Sequence, residues 1–247
     1  MILGLRSITL LGFLLLAFSG GAFAEGISRE QGDAIINELR QIRQLLGKQQ
    51  RAEAAPAAPA PQERVRLKLG NDYSLGQGDA PLVMVEYTDY QCPYCNRFYT
   101  GAFPELKKQY IDTGKMRFIT RDFPLDFHPH AMKAAQASRC AGEQGKFWQM
   151  KDALMTNSSQ LNPELIAVLA RDRGLDMAKF NGCMDGGKVA AGIKEGIAQA
   201  TAIGITGTPS FVIGRVSEGY LDGYLVVGAQ PFANFDALAK KLLLEKK

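Results

Sequence analysis

Hydrophobic and polar positions are arranged differently in successive parts of the chain. Ile8 to Phe18 are almost continuously apolar, preceded by a single positive charge at Arg6 and followed by Ala22-Phe23-Ala24. From Ser28 to Gly47, Ile35, Leu39, Ile42 and Leu46 recur at spacings of 4, 3 and 4, one narrow helical stripe. Ser28 can cap that helix with Gln31 in capping-box position, and Gly47 can end it. The stretch Ala54-Ala55-Pro56-Ala57-Ala58-Pro59-Ala60-Pro61 has no core-forming residue, so 49–64 reads as a semi-rigid spacer.

Beyond the spacer the pattern is mixed α/β. Val65 and Leu67 alternate as a short strand, and Leu82-Val83-Met84-Val85-Glu86-Tyr87 is apolar enough for a central buried one. A helix carrying Phe98, Phe103 and Leu106 is expected from the Cys92 region to about Thr113, followed by a strand over Met116 to Arg121. Helices over Ala131–Ala141, Phe147–Met155, Pro163–Arg171 and Met177–Met184 come with no strand among them, and a longer one covers Val189 to Ile203. Strands at Ser210–Ile213 and Tyr224–Val227 precede a closing helix from Phe232 to Leu244. The expected organisation is a signal segment over 1–24, a helix over 25–48, the spacer over 49–64, and an α/β domain over 65–247 with a helical insertion at about 127–186.

Composition changes this picture in two places. Hydrophobic content of 46% and charged content of 22% suit a globular core, and a net charge of +4 without a basic block does not suggest nucleic-acid binding. The first apolar run is only about a dozen residues, short of the roughly 20 that span a bilayer, and it ends on the small residues a signal peptidase reads. A cleaved signal and an exported, periplasmic or similar location are expected. In an oxidising compartment the four cysteines, Cys92, Cys95, Cys140 and Cys183, read first as disulfide chemistry.

Cys92-Pro93-Tyr94-Cys95 follows a buried strand and opens a helix, which gives the sulfurs different tasks. Only a thiolate attacks a disulfide, and the unpaired N–H groups and positive dipole end of a helix N-terminus favour the anion. Cys92 is therefore the expected nucleophile. Cys95, one turn further in, is placed to resolve the mixed disulfide. Pro93 fits the first turn, where its missing N–H costs nothing.

At these residues the chain resembles the DsbA-like branch of the thioredoxin superfamily. The resemblance covers about residues 65 to 247. It rests on the strand ending Glu86-Tyr87-Thr88-Asp89, the Cys92–Cys95 motif, the segment with Cys140-Ala141 and Gln144-Gly145-Lys146-Phe147-Trp148, and Gly207-Thr208-Pro209 before Ser210-Phe211-Val212-Ile213. It implies a thioredoxin-like fold interrupted by a helical insertion, with a dithiol that acts on exported client proteins containing cysteines and is recycled by a redox partner. It also implies a cis Pro209, with Thr208 beside the dithiol and a loop open to an extended peptide.

Other candidates follow from the residues themselves. Glu86, the one acidic residue of its strand, can hold or pass a proton as Cys95 ionises. Phe127, Phe147 and Trp148 read as packing, and His128 and His130 as surface or capping residues. Cys140 and Cys183, 43 residues apart, are expected to form a structural disulfide in an oxidising compartment, the alternative being two buried free thiols. No cofactor is expected, and no metal, because those two cysteines lack the close spacing of a structural zinc site. The dithiol motif does not separate an oxidase from an oligomeric isomerase or reductase. The expected activity is disulfide formation in exported clients. The alternative is the oligomeric isomerase or reductase, which draws on Thr208, similar to the isomerase members of the superfamily although oxidase-like relatives carry threonine too, and on a helix over 28–47 that could join several copies as a short coiled coil.

Overall fold

The computed structural model describes residues 28–54 and 63–245, and the chain divides into one unit up to Ala55 and a second from Pro56. The expected signal segment 1–24 and the central part of the spacer, 55–62, lie outside the described residues.

The described part of the first unit is the helix α1 (Arg29–Ala54). Its start is a reciprocal capping box: Gln31 N–H donates to Ser28 Oγ at 3.2 Å and Ser28 N–H donates to Gln31 Oε1 at 3.0 Å. The expectation that Gly47 ends this helix and that the spacer begins at 49 is corrected, because α1 runs on to Ala54. Lys48 to Ala54 are good helix formers, and one interior glycine costs only about 1 kcal/mol.

The second unit is built on a six-stranded sheet of order β1-β6-β5-β3-β4-β2. The strands are β1 (Arg64–Lys68), β2 (Ser74–Leu75), β3 (Leu82–Thr88), β4 (Met116–Asp122), β5 (Ser210–Ser217) and β6 (Tyr220–Val227). Only β3 and β4 pair in parallel. The near-continuous apolar run of β3 reflects burial on both faces. Leu82 and Met84 pack with Phe98, Phe118, Phe211 and Phe235, whereas Val83, Val85 and Tyr87 pack with Ile119, Val212 and Ile205 on the other side. Glu86 has the parity of Leu82 and Met84. It therefore points to the face that carries the helix after Cys92.

The strand β2, two residues long, was not legible in the pattern. Nor was the full length of β5 and β6, which meet in a hairpin whose two-residue loop has positive φ at Glu218 (54°) and Gly219 (79°). Gly214 and Gly223 face each other across that hairpin, and a Cβ on Gly214 would run into the backbone of Asp222 and Gly223. Glycine is required there for the close approach of the strands.

The helix expected to run unbroken to Thr113 is also corrected. It is α2 (Pro93–Thr100), a break at Gly101, α3 (Ala102–Leu106) and a π-helical turn over Lys107–Ile111. Gly101 carries φ −102° and ψ −82°, outside helical values, and its N–H closes the last turn on the Arg97 carbonyl. Pro104 follows in the first turn of α3, where a missing N–H is tolerated.

Between β4 and β5 lie α4 (Ala131–Gly142), α5 (Phe147–Thr156), α6 (Pro163–Asp172), α7 (Met177–Asp185) and α8 (Lys188–Ala202), and α9 (Phe232–Leu244) closes the chain. The buried faces of α4 to α8 form a core with Ala134, Ala141, Met150, Leu154, Leu169 and Phe180. That core extends to Tyr90, Cys92 and Cys95, so the dithiol sits where sheet and helical layer meet.

Candidate active site

Cys92 is the N-cap residue of α2 and Cys95 lies one turn in, both as free thiols. Only 3% of the Cys92 surface is accessible, and Cys95 is fully covered. Residues of the helical layer share the core with both sulfurs, which is the cause of that burial.

The two thiols are driven apart. Cys92 is brought down to about 5, chiefly by the hydrogen bond with the Cys95 side chain. The Thr208 side chain and the backbone N–H groups of Tyr94 and Cys95 add to this, against the opposing effect of burial. Those N–H groups are the N2 and N3 donors of α2, the ones an N-cap side chain satisfies. Cys95 is pushed well above the usual thiol range, first by burial, then by the hydrogen bond and charge of Cys92, with Glu86 adding to the same side. One sulfur is thus an anion at neutral pH and the other a thiol.

The loop before β5 supplies the opposite wall. The Thr208–Pro209 peptide is cis, and the Thr208 carbonyl accepts from Cys92 Sγ at 3.4 Å. The Thr208 hydroxyl is buried without a hydrogen-bond partner, and it favours the charged form of Cys92. Thr208 therefore offers an acceptor to the thiol and a donor to the thiolate.

Glu86 is fully buried but not solitary. It accepts from Lys151 Nζ and from Thr120 Oγ1, each at 2.9 Å, and Lys151 Nζ also lies 3.1 Å from Thr120 Oγ1. The strand register sets Thr120 beside it, and α5 brings an ammonium that is 1% exposed. Sequence reasoning missed Lys151. Its signal was its place among Phe147, Met150 and Leu154 on the apolar face of α5, where a lysine needs a carboxylate partner.

His128 and Asp89 were also given no role in the chemistry. Asp89 is buried, and its Oδ2 accepts from His128 Nδ1 at 2.7 Å and Leu125 N–H at 2.8 Å. Its Oδ1 accepts from Gln91 N–H at 2.7 Å, and its own N–H donates to Cys95 Sγ at 3.4 Å. Nothing in the spacing of residues 89 and 128 could have shown this. Phe147 is buried against Tyr73, with ring centroids 3.8 Å apart, whereas Phe127 is 75% exposed.

Cys140 and Cys183 are bonded, with Cα atoms 5.7 Å apart, and join α4 to α7. Among the described residues no cluster of three His, Cys, Asp or Glu side chains could hold a metal ion.

Comparisons with known proteins agree with this chemistry. The thioredoxin family model matches residues 68–219. The crystal structure of α-DsbA1 from Wolbachia pipientis superposes with a TM-score of 0.64 at 32% identity, covering 71% of this chain and 92% of that one. Oxidised BdbD from Bacillus subtilis shares the fold at a TM-score of 0.62 and 21% identity, over 70% of this chain and 94% of its own. A sequence relative, the Na(+)/H(+) antiporter NhaA 3 of Salinispora tropica, is 32% identical over 177 residues, 65% of this chain and 26% of that protein. The chain spans about a quarter of the length of the curated relatives it matches. A family match over more than half the chain, joined to 32% identity with α-DsbA1 over 92% of that protein, shows that the chain belongs to the DsbA-like branch of the thioredoxin superfamily and is a thiol–disulfide oxidoreductase.

Proposed function

We propose that the chain is exported and forms disulfides in client proteins through Cys92 and Cys95. The observation that carries this reading is the Cys92 thiol at about 5. A reduced form stabilised by its thiolate makes the corresponding disulfide a ready electron acceptor. A client thiolate attacks Cys92 Sγ, the Cys92–Cys95 bond breaks, and its electron pair goes to Cys95. A second client thiolate attacks the client sulfur of the mixed disulfide and Cys92 leaves as the thiolate. The client is oxidised by two electrons, the dithiol is reduced, and a redox partner accepts those electrons to restore the disulfide. Glu86, held by Lys151, disfavours charge on Cys95 and so supports its return to the thiol.

The alternative is an oligomeric isomerase or reductase of the same fold. It draws on the apolar stripe of α1, where Ile35, Leu39 and Ile42 are between 48% and 58% exposed. The equilibrium of the dithiol with glutathione, together with its redox state in the native compartment, tests the choice. An oxidase should show a potential of roughly −120 to −180 mV, be found oxidised, and introduce disulfides into a reduced client. A potential near about −270 mV with a dithiol found reduced overturns the oxidase reading.

A further inference from the structure

The backbone of residue 89 bonds to both cysteines of the motif, to Cys92 through its main chain and to Cys95 through its sulfur. Its carbonyl accepts from Cys92 N–H at 3.2 Å, and its N–H donates to Cys95 Sγ at 3.4 Å. Whatever fixes residue 89 therefore fixes a donor aimed at the buried sulfur. Three N–H groups hold its carboxylate: Gln91 and Leu125 through their backbones, and His128 through a side chain. The carboxylate oxygen is the acceptor, so Nδ1 is the protonated nitrogen of that imidazole. A further bond from His130 N–H to Gln91 Oε1 straps the same two loops together.

We propose that His128 is a positioning residue for the exchange reaction, holding Asp89 so that its backbone N–H stays directed at Cys95 Sγ whenever that sulfur carries charge. This rests on the reading of Cys92–Cys95 as the redox centre. When a thiolate attacks Cys92 Sγ, a new S–S bond forms there, the Cys92–Cys95 bond breaks, and the electron pair lands on Cys95. Cys95 is then an anion in apolar surroundings, with Glu86 as a neighbouring charge that opposes it. The Asp89 N–H is the backbone donor that favours it. A leaving thiolate that is better stabilised departs faster, and a donor already in place needs no reorganisation at that moment. The reverse step gains equally, because Cys95 must ionise to attack a mixed disulfide.

The test compares His128→Leu, which removes the donor, with His128→Asn, whose amide nitrogen can stand close to the position of Nδ1. In a Cys92→Ala background, thiolate absorbance against pH reports Cys95 alone. We expect His128→Leu to raise the Cys95 midpoint and His128→Asn to return it toward the parent value. In the full dithiol protein, reduction of the oxidised form by dithiothreitol should slow about tenfold in His128→Leu and recover in His128→Asn. A merely structural role would lower the melting temperature while leaving the Cys95 midpoint of the folded protein in place. Should His128→Leu not fold, His128→Ser removes the donor without adding apolar bulk. Equal midpoints and rates in parent, donor-free and Asn variants overturn the role of His128. Exchange that survives Cys92→Ala overturns instead the redox reading on which it rests.

Discussion

At the scale of single residues the molecule works by making two chemically identical thiols unlike. Cys92 collects the hydrogen bond of the Cys95 side chain first, then the Thr208 side chain and helix N-terminal donors, while Cys95 is left in apolar surroundings facing a carboxylate. Alkylation of the reduced protein at pH 6 should label Cys92 and leave Cys95 unmodified, with a rate profile for Cys92 centred near 5. Equal labelling of both at that pH would remove the assignment of roles. The same shift fixes a stability trend. Cys92 titrates at about 5 when folded and at an ordinary 9.0 when unfolded, so its thiolate stabilises the reduced fold fully above about 9, and that gain is lost as pH falls through 5. The melting temperature of reduced protein minus that of reduced Cys92→Ser should therefore widen between pH 5 and pH 9. Above that range the raised Cys95 acts in the opposite sense. The buried Glu86–Lys151 pair gives a third expectation. Lys151→Met strands a buried carboxylate and should cost about 3–5 kcal/mol, whereas adding Glu86→Leu should recover much of that loss, since a well-packed apolar pair costs less than one unpaired charge. Urea unfolding of Lys151→Met, Glu86→Leu and the double variant decides; a double variant as unstable as the sum of both singles would contradict the pairing.

At the scale of elements, β3 and β4 carry the site. Their parallel register sets Glu86 beside Thr120, and the chain leaves β3 directly into Asp89 and the first turn of α2. The helical insertion closes over this end, held by the Cys140–Cys183 bond between α4 and α7. The loop closed by that bond spans 43 residues, for which the chain-entropy argument gives about 4 kcal/mol. Cys140→Ala/Cys183→Ala should lose stability of that order in urea unfolding, and a midpoint unchanged from the parent would show that the bond does not restrain the unfolded chain. The Cys92 titration should stay near 5 in this variant, because the groups that set it belong to α2 and the Thr208 loop.

At the scale of the whole molecule the open matter is what α1 does. Five apolar side chains, Ile35, Ile36, Leu39, Ile42 and Leu45, are each between 46% and 63% exposed, an arrangement that an isolated helix does not need. The proposal that α1 joins copies of the chain makes a direct expectation. Light scattering of a chain from Glu25 should give a multiple of the mass of one copy, and a chain beginning at Gln62 should give a single copy. Two single copies at tens of micromolar would remove the oligomeric isomerase from consideration. An oligomer would present several Cys92 sites to one client, with linker reach setting the effective concentration.

The sequence alone determined what depends on local order along the chain. The strand before Cys92, the helix after it, the N-cap place of the attacking sulfur, the capping box at Ser28 and most helices of the insertion follow from periodicity and caps, which act over a few residues. The full reach of α1 past Gly47, the break at Gly101 and the two-residue β2 did not, because each turns on small differences in local energy that packing or neighbouring residues override. Tertiary structure alone decided the partners of buried charge. Lys151 reaches Glu86 across 65 residues and His128 reaches Asp89 across 39, separations with no periodic signature. A buried carboxylate must find a donor, but the sequence does not say which one, since that choice is made by the sheet register and by where each helix packs.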